Sequence, residues 1–181
     1  YDLLSAFCKS LRGSSPDAAL YYANRLISGG CDPLIIARRL IVHSAEDVGL
    51  ADPRALVVAT SALTAFQNLG LPEGLIPLSE AIIYVCEAEK SNSVVMAMGA
   101  AKEAAEKVKD DFVPTNLRNT PYMSKEQLAT KKPYLYPHDY GGYVKQQYLP
   151  DALVGSVFYR PGNNGYETEI KKIRKKKGVD D

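Results

Sequence analysis

Leu3, Leu4, Phe7, Cys8 and Leu11 follow the i, i+1, i+4, i+5, i+8 spacing of one helical stripe, and Gly13 supplies a stop. Ser15-Pro16-Asp17 offers an N-cap and a first-turn proline for a second helix with apolar positions at Ala19, Leu20, Ala23, Leu26 and Ile27, ended by Gly29-Gly30. Asp32-Pro33 repeats the start signal, and Leu34, Ala37, Ile41, Ala45 and Val48 continue a face as far as Gly49. Asp52-Pro53 opens a fourth helix with Leu56, Ala59, Leu63 and Phe66 inward and Gly70 beyond its end. The fifth is expected from about Glu73 to Ala88 through Leu75, Leu78, Ile82, Ile83 and Val85. Pro77 belongs in its first turn or marks a late start, since an interior proline removes a backbone bond. Ser91-Asn92-Ser93 caps a sixth helix running to about Lys109 with Ala100, Ala101, Ala104, Ala105 and Val108 on one side. Period-2 alternation is absent, and short links favour antiparallel neighbours. The expectation is an all-α chain, a bundle or helical collar.

From Phe112 to Pro161 the pattern breaks into proline and glycine punctuation. Tyr134, Tyr136, Tyr140, Tyr143, Tyr148, Phe158 and Tyr159 carry large apolar bodies through it. Short helices are expected near Ser124–Thr130 and Asp151–Leu153, and a more regular one from about Tyr166 to Lys177. A segment of this composition suits wrapping over helices or crossing to a neighbouring subunit. Tyr140, Tyr143, Tyr148, Leu149, Phe158 and Tyr159 are the residues expected at such an interface.

Composition sharpens the division. The chain has 181 residues, 46% hydrophobic, and a formal net charge of +1. Residues 1–110 carry 10 Lys+Arg against 13 Asp+Glu, whereas residues 111–181 carry 12 against 8. Whole-chain disorder is excluded by the apolar content and small net charge. Three widely spaced cysteines do not make a disulfide scaffold and suit a reducing cytosol. No apolar run is long enough to span a bilayer, and no signal peptide opens the chain. It starts at Tyr1 without a Met, which is expected of a piece of a longer protein.

Chemical motifs are sparse. There is no GxxxxGK[ST] loop, no GxGxxG after a strand, no zinc-spaced Cys/His set and no GxSxG, HExxH or SxxK. No catalytic, cofactor or metal residue is therefore assigned. His43 and Asp47, i and i+4 on one helix face, could make a base–orienter pair. The reading preferred is a polar stripe shared with Arg39 and Glu46. His138-Asp139 reads as a turn that satisfies its own hydrogen bonds. Lys171, Lys172, Arg174, Lys175, Lys176 and Lys177 form a basic tail that could contact DNA phosphates, against a reading as a frayed, solvated terminus.

Several blocks are less generic. Tyr1-Asp2-Leu3-Leu4-Ser5-Ala6-Phe7, Arg12-Gly13-Ser14, Ser44-Ala45-Glu46-Asp47-Val48-Gly49-Leu50-Ala51-Asp52-Pro53, Lys90-Ser91-Asn92, Leu117-Arg118-Asn119, Gln147-Tyr148-Leu149-Pro150 and Phe158-Tyr159-Arg160-Pro161 appear in that order. They resemble the bacterial replication-associated recombination protein A (RarA, or MgsA) family of AAA+ ATPases and its eukaryotic counterpart, the Werner-helicase-interacting ATPase. The resemblance covers nearly the whole chain. It implies a clamp-loader-like protein acting in DNA replication, recombination and repair at stalled forks, in the cytoplasm and at the nucleoid. Residues 1–52 would be the helices after the AAA+ lid, and 53–181 the C-terminal assembly domain, helical to about 110 and then an irregular arm. It further implies ATP and Mg in the full-length protein, a homotetramer, and DNA and single-strand-binding protein as partners, with no membrane role. No P-loop lies in this stretch, so the fragment itself is read as no enzyme. The alternative is an autonomous DNA-binding module using the basic tail. Near-neutral net charge favours the first reading, because dedicated DNA-binding domains are usually strongly basic.

Overall fold

The computed structural model describes residues 1–109 and 112–179. Eight α-helices follow in order: α1 Asp2–Arg12, α2 Pro16–Ser28, α3 Pro33–His43, α4 Arg54–Leu69, α5 Leu75–Glu87, α6 Ser93–Lys107, α7 Lys125–Thr130 and α8 Tyr166–Lys177. No strand occurs among the described residues, so the all-α expectation holds. The expected end of the helical part near residue 110 falls beside Asp110 and Asp111, outside the described residues.

Two compact units divide the chain. One comprises residues 1–96 and 161–171, the other residues 97–160 and 172–181. They differ in charge: the first carries 8 Lys+Arg against 12 Asp+Glu, the second 14 against 9.

In the first unit α1 packs along α2 and α4 along α5, with α3 against α1 and α4. The core is formed by Phe7, Leu11, Ala19, Ala23, Ile36, Ala37, Leu40, Val48, Ala55, Ala59, Ala62, Leu78, Ala81, Ile82, Val85 and Cys86. Alanines on α2 and α4 allow helix axes to approach closely, while α1, α3 and α5 supply the bulk. Pro77 is the third residue of α5, where its missing N–H is not needed. Gly74, just before α5, has no room for a side chain: a Cβ would lie 2.6 Å from the Phe66 ring.

Helix α3 is turned relative to its expected face, and α6 keeps Ala100, Ala104 and Val108 of its expected side half-buried. The buried positions of α3 and its continuation are Ile36, Ala37, Leu40, His43, Ser44, Asp47 and Val48, with Leu34, Ile41 and Ala45 only half-buried. On α6 no apolar side chain is fully buried, Ala101 and Ala105 are exposed, and Met96 and Met98 are each 63% exposed. A run of alanines offers no large side chain to bury.

In the second unit α7 begins with a capping box between Ser124 and Gln127. Extended segments around it are held by side chains rather than by a sheet. Gln146 accepts from the Leu135 N–H at 3.1 Å and donates to the Leu135 carbonyl at 2.8 Å, occupying the place of a neighbouring strand. Asn116, buried, donates to the Gln147 carbonyl at 3.0 Å.

Candidate functional site

The helix α3 does not stop at His43. It widens into one π turn over Ser44–Val48, closed by the Gly49 N–H on the Ser44 carbonyl. π turns in α-helices frequently occur at functional sites because they re-aim side chains. Gly49 leaves the turn at φ +51, and a Cβ there would sit 3.2 Å from the Ser91 carbonyl oxygen, so glycine is needed on both counts.

The turn directs Asp47 inward. His43 Nδ1 lies 2.6 Å from Asp47 Oδ2, and Arg12 Nε donates to Asp47 Oδ1 at 2.9 Å from helix α1. Glu46 Oε2 lies 3.2 Å from the same His43 nitrogen and 3.4 Å from Arg12 Nη2. The His43 side chain is 7% exposed and that of Asp47 9%, so the pair is enclosed rather than a solvated stripe. Its cationic partner is Arg12, not Arg39 on the same helix. Hydrogen bonding to Asp47 raises the Arg12 guanidinium further above its ordinary value. His43, Glu46 and Asp47 bring ligand-type atoms within 4.8 Å of one another, but Arg12 already occupies both carboxylates.

The linker from α5 to α6 closes the junction. Ser91 N–H donates to the Asp47 carbonyl at 2.7 Å. Lys90 Nζ turns back onto the C-terminal end of α5, its three N–H bonds shared among the carbonyls of Val85 at 3.0 Å, Cys86 at 2.8 Å and Ala88 and Ser14 Oγ at 3.0 Å. Partial burial lowers the pKa of this ammonium, while the carbonyls at the negative helix end offset that cost. Arg12, Glu46, Asp47, Lys90, Ser91, Asn92 and Val95 line one open cleft.

From the far end of the chain, residues 161–171 return to the same unit. Glu167 is fully buried and accepts from Ser91 Oγ and from Ser93 Oγ, the latter at 2.7 Å. Asn164 Nδ2 donates to the Lys90 carbonyl at 2.9 Å. Gly162 lets the chain pass, since a Cβ would be 3.0 Å from Glu167 Oε1. At Gly165, with φ +56, a Cβ would run into the Ala51 carbonyl. Three of the blocks singled out in the sequence, Arg12-Gly13-Ser14, Ser44–Gly49 and Lys90-Ser91-Asn92, thus meet at one junction. Glu167, which also joins it, carried no sequence signal beyond its charge. A carboxyl at the start of a basic helix reads as a surface residue until its partners are known.

The other sequence-derived residues lie in different surroundings. Tyr140 and Tyr148 are about half exposed, and Tyr143, Leu149, Phe158 and Tyr159 are half-buried. Tyr148 OH accepts from Gln146 Nε2 at 2.9 Å. The basic residues are helical, not frayed. Lys171 donates to Asn163, the Arg174 guanidinium lies 5.9 Å from the centre of the Tyr159 ring, and Lys172, Lys175, Lys176 and Lys177 are exposed. His138 and Asp139 sit exposed in a single 3-10 turn. No described helix is long and apolar enough to cross a membrane.

Comparison with known proteins bears on the same blocks. Residues 13–177 match the family described as MgsA AAA+ ATPase C terminal. The chain is 44% identical over 173 residues to replication-associated recombination protein A of Coxiella burnetii, covering 94% of this chain and 39% of that protein. To the protein of the same name in Escherichia coli K12 it is 42% identical over 172 residues, covering 94% and 38%. The ATPase WRNIP1 of Dictyostelium discoideum is 36% identical over 161 residues, covering 88% and 18%. An uncharacterised Thermotoga maritima protein, 47% identical, is likewise covered only to 29% of its length, so the chain spans two fifths or less of these relatives. The chain belongs to the RarA/MgsA family of AAA+ ATPases and corresponds to its C-terminal region.

Proposed function

We propose that this region assembles and couples a clamp-loader-like AAA+ ATPase that works on DNA in replication, recombination and repair at stalled forks. The observation that supports the reading is the match over residues 13–177 to the C-terminal region of MgsA AAA+ ATPases. Residues 1–52 follow the ATPase lid and 53–181 form the assembly domain. ATP and Mg act in the portion of the family proteins that this chain does not span. Four copies associate. Tyr140, Tyr143, Tyr148, Leu149, Phe158 and Tyr159 contribute aromatic anchors, a residue type enriched in interface cores. Single-strand-binding protein and fork DNA are partners of the whole protein, and its place is the cytoplasm and nucleoid.

Light scattering on this chain tests the reading. The expected mass is four times that of the chain at roughly tens of micromolar, above the micromolar end of standard interfaces. A monomer at that concentration refutes it.

A second reading, an autonomous DNA-binding module, is favoured by one observation: Lys175, Lys176 and Lys177 stand exposed on an ordered helix. The first reading expects weak, salt-sensitive binding that disappears when Lys175, Lys176 and Lys177 are changed to Glu. Tight binding at physiological salt that is lost with this change would support the second reading instead.

A further inference from the structure

Residues 131–136 leave α7 as extended chain, with φ −61 and ψ 124 at Lys131 and φ −77 and ψ 111 at Tyr136. Along such a chain alternate side chains share one side. Leu135 is half-buried, and Gln146 pairs with both its N–H and its carbonyl, which fixes the strip from behind. Tyr134 and Tyr136 alternate with it, 47% and 54% exposed. The row of rings continues to His138, whose centre lies 5.1 Å from that of Tyr136. Two residues of extended chain span about 6.6 Å, roughly two stacked layers of ~3.4 Å. Cations stand at the start of the row. Lys132, exposed, and Arg118 line one cleft of about 350 Å³ with Thr115 and Gln127. Asp151 also borders it, with one carboxylate oxygen accepting from Gln147 Nε2 at 2.7 Å. Residues 112–138 carry four Lys+Arg against one Asp+Glu.

We propose that this strip binds single-stranded nucleic acid, with bases stacked on Tyr134 and Tyr136 and a phosphate held by Lys132 and Arg118 at the cleft. The inference rests on the reading of a protein that works on fork DNA, and it adds the strand form and the residues that meet it. Rings with cations alongside are what a sequence-tolerant single-strand surface needs, since every base has a stacking face and every link a negative charge. Duplex DNA fits less well, because its bases are stacked on one another and leave the tyrosines nothing to cover. A protein partner also fits less well, because lysine is depleted from interfaces. The strip is ordered before a strand arrives, the Tyr136 ring by His138 and the backbone by Gln146, so little freedom is lost on binding. Neither ring is among those expected between subunits, Tyr140, Tyr143, Tyr148 and Tyr159, so the two readings fail separately.

The test uses the 181-residue chain and two oligonucleotides of equal length and charge, one of thymidines and one with abasic links throughout. Binding is followed by anisotropy of a fluorescein label at about 50 mM salt. The exposed lysines of α8 meet the phosphates of both alike, so the ratio of the two affinities isolates the bases. The thymidine strand should bind roughly tenfold or more tightly than the abasic one. Tyr134→Ala/Tyr136→Ala should abolish that preference and leave the abasic affinity unchanged, whereas Tyr134→Phe/Tyr136→Phe, which keeps the rings, should retain it. Arg118→Glu/Lys132→Glu should weaken both strands alike by roughly tenfold. The chain has no Trp, so tyrosine emission of the parent reads the contact without any substitution. Unlabelled thymidine strand should quench it and the abasic strand should not. A parent that binds both strands equally or neither, an absence of quenching, or an Ala variant that keeps the preference overturns the inference. Unchanged binding by the Glu variant overturns the phosphate site. A chain that prefers the thymidine strand yet runs as a monomer in light scattering refutes the assembly reading alone.

Discussion

Replacing Glu167 by Ala should release the end of the chain from the helical unit. The side chain is fully buried and joins Ser91 and Ser93 to the first turn of α8, 76 and 74 residues away in sequence. Two hydrogen bonds are lost, at about 1 kcal/mol net each. The Ser93 hydroxyl, buried beside the start of α6, is left without this acceptor, which adds about 1–3 kcal/mol. The total, about 3–5 kcal/mol, is a large share of the ~5–15 kcal/mol by which domains are stable. Glu167→Gln keeps the shape and one acceptor oxygen, and serine hydroxyls rotate to suit, so it should cost about 1 kcal/mol. Urea titration gives the magnitude, and hydrogen exchange at residues 161–171 shows where it acts. The Ala variant should lose protection there before α1–α5 do. If Glu167→Ala falls within ~1 kcal/mol of the parent, or protection at 161–171 is retained, the junction does not hold the chain end.

Asp47→Ala should cost about 2–3 kcal/mol by urea titration, chiefly because the buried His43 loses its closer partner and keeps only Glu46. Arg12→Ala should cost about 1–3 kcal/mol, since it leaves the nearly buried Asp47 carboxylate without its cationic partner. Gly165→Ala should destabilise by about 3 kcal/mol or more from its positive φ and the collision with Ala51, and a neutral thermal melt would contradict the geometry. Burial alone would raise the Asp52 carboxyl. Hydrogen bonds from Tyr84 OH, at 2.6 Å, and from Arg54 outweigh it and hold the pKa below its ordinary 3.8. The folded value is thus the lower one, so this stabilisation is complete above the ordinary value and lost as pH falls through the folded one. Tyr84→Phe should therefore cost about 1–2 kcal/mol above ~pH 5, with the gap closing below ~pH 4 in pH-dependent urea melts.

The boundaries of α1 to α5 and of α8 were legible because local chemistry sets them. Ser15-Pro16, Asp32-Pro33 and Asp52-Pro53 start helices, and Gly13, Gly29-Gly30 and Gly70 end them, whatever packs alongside. The family was legible too, in blocks whose order needs no coordinates. The inward face of α3 was not. Polarity marks His43, Ser44 and Asp47 as outward, and only Arg12, on another helix, together with the π turn makes their burial tolerable. On alanine-rich α6 the side holding Ala100, Ala104 and Val108 was legible, but not how little of the helix is buried. Lys90 and Glu167 read as ordinary surface charges until the chain brings Lys90 back onto the end of α5 and Glu167 onto Ser91 and Ser93. Start and stop signals act within a few residues and survive translation into sequence. The burial of a polar group depends on a partner's arrival from a distant segment, and that is decided only when the helices pack.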